Sequence, residues 1–215
     1  MRVCLVNEGK LSGLGEELEG ESPQIVCISS VGLVDYEKEI EGKTGRLRAV
    51  AKLSQRLSCV VVCGCETDAK GLRRRSAIVS EGGRILGISD MSHAIDGNCN
   101  CGFGLKCYDT AAGRLGVLVG EDLYFPEAVK VLVQSACDLV LCAFGKIEGD
   151  KELVLMRCYS FCYGVCLCMA GEGYSQITAA DGSVLLTTPR KIETTEVGGK
   201  RRFHLIETRR SGCGK

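Results

Sequence analysis

Residues 115–128 read LGVLVGEDLYFPEA, and this run decides the fold. Val117, Leu118 and Val119 form a short continuous apolar stretch, as a strand buried on both faces requires, and Gly120 breaks it. Pro126 suits the first turn of a helix, where its absent N–H costs nothing, and Glu127 suits the positive end of the helix dipole. Ala128, Val129, Leu132 and Val133 then recur at helical spacing. The stretch reads as strand, sharp turn, helix. In many α/β enzymes such a turn lifts a nucleophilic side chain above the sheet. Here the turn offers Gly120, Glu121 and Asp122.

Outward from this stretch, buried strands alternate with helices. Arg2–Val6, Ile25–Ile28 and Cys59–Gly64 read as strands, and Lys10–Gly20 as weakly helical. Gly45–Leu57 carries apolar Leu47, Val50, Leu53 and Leu57 at helical intervals between basic residues, an amphipathic helix. Downstream, Pro126–Gln134 and Lys151–Phe161 read as helices, and Cys137–Phe144 and Tyr163–Ala170 as buried strands. Three hairpins are signalled by turn residues: EGG at 81–83, DTAAG at 109–113 and AADG at 179–182. Arg202–Ile206 reads as a last short strand before a basic, Gly-rich tail. Crossovers mixed with hairpins predict an α/β fold in which two mixed sheets pack together with helices outside. The length suits one domain over residues 1–208, with 209–215 an unstructured tail.

Composition narrows the function. Lys plus Arg and Asp plus Glu number 27 each, so no global field favours nucleic acid or an anionic membrane. The clusters Arg73–Arg75 and Lys200–Arg202 read as solvated loop charges. No apolar run approaches the roughly 18 residues of a membrane span, and the N-terminus lacks a signal-peptide core, which points to the cytoplasm. The 15 cysteines are odd in number and spread through apolar strands, a poor disulfide framework, so they read as small reduced hydrophobes. A thiolate metal site around Cys99, Cys101 and Cys107 is the alternative, without the usual ligand-pair spacing. The expectation is no metal and no cofactor.

Three stretches carry a family resemblance: GEDLYFPE at 120–127, SAIVSEGGRILGISDMSHAID at 76–96 and GEGYSQITAADGSVLL at 171–186. In order and spacing they resemble the nucleophile motif, the hairpin before the lysine loop and the late hairpin of the nitrilase, or carbon–nitrogen hydrolase, superfamily. The resemblance implies a four-layer α-β-β-α sandwich assembled as a homodimer, or as a heteromer with a homologue. It also implies a Cys nucleophile, a Glu base and a Lys that stabilises the oxyanion. The matching positions here hold Gly120, Ser30 and Met91, with Ser29 in place of a proline and His93 keeping the histidine of a Lys-x-His pattern. The chain is also shorter than typical members, with its first helix nearly missing.

The expected function is therefore that of a nitrilase-like pseudoenzyme with no catalytic residues, acting as an interaction module or as a module that binds a small amide or carboxylate. The expected pocket comprises Ser30, Met91, His93, Gly120, Glu121 and Cys142. Glu121 and His93 each also have a structural reading, as a salt-bridged glutamate and a hydrogen-bonded histidine, and Asp122 is expected to cap the turn or the helix after it. The alternative is a divergent amidase using a relocated cysteine: Cys142, Cys99 or Cys101.

Overall fold

The computed structural model describes residues 1–8, 11–95, 100–147 and 149–198. In chain order the strands are β1 (Arg2–Val6), β2 (Ile25–Ile28), β3 (Leu33–Asp35), β4 (Val60–Ala69), β5 (Leu72–Glu81), β6 (Arg84–Asp90), β7 (Lys106–Thr110), β8 (Gly113–Val119), β9 (Leu139–Lys146), β10 (Cys166–Glu172), β11 (Ser175–Thr178), β12 (Val184–Thr188) and β13 (Ile192–Glu196). The helices are α1 (Leu11–Leu18), α2 (Tyr36–Ile40), α3 (Arg46–Arg56), α4 (Pro126–Gln134) and α5 (Lys151–Tyr163).

Two mixed sheets result. One has the order β13-β1-β2-β4-β5-β6, with β3 also on β4, and the other β12-β11-β10-β9-β8-β7. In each the central strands are parallel, β1-β2-β4 and β8-β9-β10, because helical crossovers join them; hairpins add the antiparallel edges.

Alternation along the strands sorts the side chains into three apolar layers. Between the sheets, Leu5, Cys27 and Val62 of the first meet Val117, Leu141 and Cys168 of the second. The other face of the first sheet, with Val26, Val61 and Cys63, lies under Leu14, Val50 and Leu53 of α1 and α3. The other face of the second, with Leu118, Val140 and Cys142, lies under Leu132 of α4 and Met156 of α5. The architecture is the four-layer α-β-β-α sandwich.

Several boundaries differ from expectation. The hairpin Ala69–Leu72 was not signalled, and it makes β4 and β5 the longest strands described. Arg73, Arg74 and Arg75 are consequently on a strand and paired with Asp68, Asp90 and Glu121, not loose in a loop. The expected strand at Tyr163 gives way to two more residues of helix, closed by Gly164 at φ +63°, a left-handed cap that glycine takes without strain. β13 was also unforeseen, and it pairs antiparallel with β1. Arg202–Ile206, Lys200 and the tail 209–215 lie outside the described residues.

Candidate functional site

β8 ends at Val119, and a short 3-10 turn, Gly120–Tyr124, leads into α4. Gly120 sits at φ +51°, the left-handed region that disfavours any residue with a Cβ. A Cβ built there would lie 3.3 Å from the sulfur of Met91. Met91 itself is wholly buried, packed into the layer between the sheets.

The next two residues hold the neighbouring loop. Glu121 accepts from Arg75 Nη1 at 2.7 Å and from the backbone N–H of Ile95. Asp122, fully buried, accepts from the backbone N–H groups of Ser92 (3.0 Å) and His93 (2.9 Å) and lies 2.9 Å from His93 Nδ1. Burial raises its carboxyl above the ordinary range, and the hydrogen bonds from His93 and Ser92 partly offset that. The expected capping role is corrected by this geometry: α4 starts without a side-chain cap, and Asp122 ties the loop to the turn instead. His93 completes the clasp by stacking on Phe125, with ring centroids 4.5 Å apart.

Above Gly120 opens a cleft of about 570 Å³ at the carboxyl ends of the parallel strands, where open α/β sheets place their ligands. Ser29 and Ser30 after β2, Gly64 on β4, Ala143 on β9 and Glu172 on β10 line it with the turn itself. A Cβ at Gly64 would lie 2.1 Å from the carbonyl oxygen of Ser29, so only glycine lets β4 pass beside that segment. Ser29 is fixed by donating to the carbonyl of Asn7, whose side chain also takes a hydroxyl from Ser175 and donates to Thr188 O at 3.3 Å. Ser30 Oγ accepts from the N–H of Gly32 at 3.2 Å.

Of the six expected pocket residues, Ser30, Gly120 and Glu121 line the cleft. Three do not. Met91 is packed between the sheets with its sulfur against Gly120, and His93 is held by Asp122 and Phe125. Cys142 is corrected by strand alternation: Ala143 points between the sheets and lines the cleft, so its neighbour points the opposite way, under the helices. There Cys142 is fully buried, and loss of solvation pushes its thiol well above the ordinary value. Cys65 borders the cleft too, but burial pushes its thiol up to about 12. Neither has the environment of a reactive thiolate. Cys101 is exposed, burial raises the thiol of Cys107, and Cys99 lies outside the described residues.

Sequence reasoning missed the cleft's far wall. Tyr124, from the turn, donates its hydroxyl to Glu152 Oε1 on the first turn of α5. Glu152 is 1 % exposed, rare for an acidic side chain. Lys151 Nζ lies 3.8 Å from the same oxygen and 5.2 Å above the Tyr124 ring. Burial foremost, and then the bond to Glu152, raise the Tyr124 phenol. The signal available was a Lys-Glu pair opening a helix directly after the strand beside the turn, but helix starts commonly carry acids for their dipole alone.

This sandwich, with a strand-turn-helix elbow at the carboxyl ends of its parallel strands, has the fold of the nitrilase, or carbon–nitrogen hydrolase, superfamily. In particular, the chain is similar to a carbon–nitrogen hydrolase from Helicobacter pylori G27 (17 % identity, TM-score 0.78, covering 99 % of this chain and 92 % of that one). It is also similar to an amidase from Nesterenkonia sp. AN1 (14 %, TM-score 0.78, 99 % and 97 %) and to Nit3 of Saccharomyces cerevisiae (13 %, TM-score 0.76, 100 % and 94 %). One structure of the Nesterenkonia amidase has acrylamide added to its active-site cysteine, and another holds butyramide. No family model and no curated protein matches the sequence.

Proposed function

We propose that this nitrilase-fold chain binds a small amide or carboxylate in the cleft above Gly120 and does not hydrolyse it. One observation carries the reading: the cleft is open, about 570 Å³, while the residue at its elbow is a glycine seated on a buried methionine. Amide hydrolysis by this family's route needs a nucleophile, a base and a cation for the oxyanion. The positions that the sequence resemblance gives to those roles hold Gly120, Ser30 and Met91, and none can supply them near neutral pH. Preformed clefts of this size suit small molecules.

The test uses the full chain with butyramide and butyrate. Ligand-induced NMR shifts at Glu121, Ala143 and Glu172, with no ammonia released above buffer, are expected. Steady ammonia release would overturn the inactive half of the reading, and absence of any shift would overturn the binding half.

In this reading the protein works in the cytoplasm, which its complement of free thiols suits. It works there as a homodimer. Support comes from α5, whose outer face presents Val154 and Phe161 to solvent at 50 % and 55 % exposure, along with Lys151 and Arg157. Light scattering that finds only monomer would end the dimer proposal.

A further inference from the structure

The cleft holds a carboxylate whose bonding is half complete. Glu152 Oε1 accepts from the Tyr124 hydroxyl and has the Lys151 ammonium 3.8 Å away, whereas Glu152 Oε2 is buried with no hydrogen-bond partner among the described residues. A buried acceptor left unpaired is costly, more so when it belongs to a charged group. The carboxyl group is nonetheless set in place by its position on the first turn of α5, by the Tyr124 hydroxyl and by Lys151 beside it. Glu152, Tyr124 and Lys151 all line the cleft.

The other cleft acids complete the pattern. Glu121 is occupied by Arg75 and the Ile95 N–H, while Glu66 and Glu172 are exposed at the rim. A ligand carboxylate arriving at this wall would meet in Glu152 a second acceptor and bring no donor to it. A ligand N–H would instead give Oε2 the donor it lacks.

We propose that Glu152 is the specificity-determining residue of the cleft, selecting a ligand that presents an N–H donor, as a primary amide or an ammonium group, over one that presents a carboxylate. This rests on the reading that the cleft binds a small molecule, and it narrows the two ligand classes of that reading to one. Selection here follows the rule that a site with an unpaired buried polar group rejects ligands that leave it unpaired.

Three probes of equal chain length test it on the full chain: butyramide, butylamine in its ammonium form, and butyrate, with affinities from titration calorimetry or NMR. Butyramide or butylammonium is expected to bind at least about tenfold more tightly than butyrate, a difference of the size one buried hydrogen bond supplies. Which of the two leads tells whether the donor is neutral or cationic. In the variant Glu152→Gln the gap is expected to shrink to about threefold or less, with unfolding midpoint and NMR dispersion reporting that the fold is kept. The order of the three probes on the unaltered chain is read without any variant, so a misfolded Glu152→Gln does not remove the test. If butyrate binds as tightly as the other two, the selection is overturned while the binding reading stands. If a folded Glu152→Gln keeps the full gap, Glu152 is not the residue responsible. If none of the three binds, both the selection and the binding reading fall.

Discussion

At the scale of single residues, Gly120 and Asp122 divide the work of the elbow. Gly120 supplies the backbone angle: at φ +51°, with the Met91 sulfur 3.3 Å from where a Cβ would stand, the position accepts a side chain only under strain. Restoring a thiol there in Gly120→Cys is expected to cost about 1–2 kcal/mol of stability, read by urea denaturation. It is also expected to release no ammonia from butyramide, because Met91 and Ser30 still lack the cation and the base. Turnover by that variant would show that the elbow alone suffices. Asp122 supplies the anchor. In Asp122→Ala the N–H groups of Ser92 and His93 lose their acceptor, and a loss of about 1–3 kcal/mol is expected. Amide exchange at His93 should rise sharply, and unchanged protection there would contradict the clasp. From sequence alone Asp122 was legible as structural, but its partner was not. A carboxylate two residues into a turn has local N–H groups within reach, and nothing local reveals that a loop some thirty residues earlier in the chain, at Ser92 and His93, wins the competition.

At the scale of elements, strands whose apolar pattern is continuous and whose turns carry Gly were legible. β5–β6, β7–β8 and β11–β12 fall where EGG, DTAAG and AADG place them, and α4 runs from Pro126 to Gln134 as its spacing predicts. Elements defined by partners rather than pattern were not. β13 is polar, IETTE, and is a strand because β1 offers it an edge. The β4–β5 hairpin turns through Lys70 at φ +54° and Gly71 at φ +84°, and lysine is a weak signal for such a turn. Lys70→Asn should therefore stabilise the chain by about 0.5 kcal/mol, since asparagine tolerates the left-handed region better. A fall in the denaturation midpoint would mean that the Lys70 side chain contributes something the backbone argument omits. For the site, the near wall was readable from the elbow motif. The far wall was not, because Tyr124, Lys151 and Glu152 meet only through the packing of α5 beside the turn.

At the scale of the whole molecule, the cysteines act together. Burial raises the thiols of Cys4 to about 11 and of Cys27, Cys59 and Cys65 to about 12, against an ordinary value of 9.0. Below pH 9.0 both folded and unfolded chains keep these protons, and stability is undiminished on their account. As pH climbs from 9.0 through about 12, the unfolded chain releases its protons first, so the folded state progressively loses ground. Denaturation midpoints should fall across that window, and a flat profile would refute the burial argument. Native-state alkylation should reach Cys101 promptly and spare Cys27, Cys63, Cys142 and Cys168. Prompt labelling of Cys142 would mean that the second sheet opens toward its helices.

The pairing of β13 with β1 bears on how the chain is made. Val3 faces Thr195 in the ladder, and the N–H of Val197 bonds the carbonyl of Met1. During synthesis β1 thus waits for β13, the last strand described, before its outer edge is covered. Contacts so remote in sequence close slowly, and an uncovered strand edge meanwhile invites pairing with another nascent chain. Synthesis halted before residue 192 should leave a product with both sheets largely built and one sticky margin, so the demand for chaperones would fall once β13 has emerged.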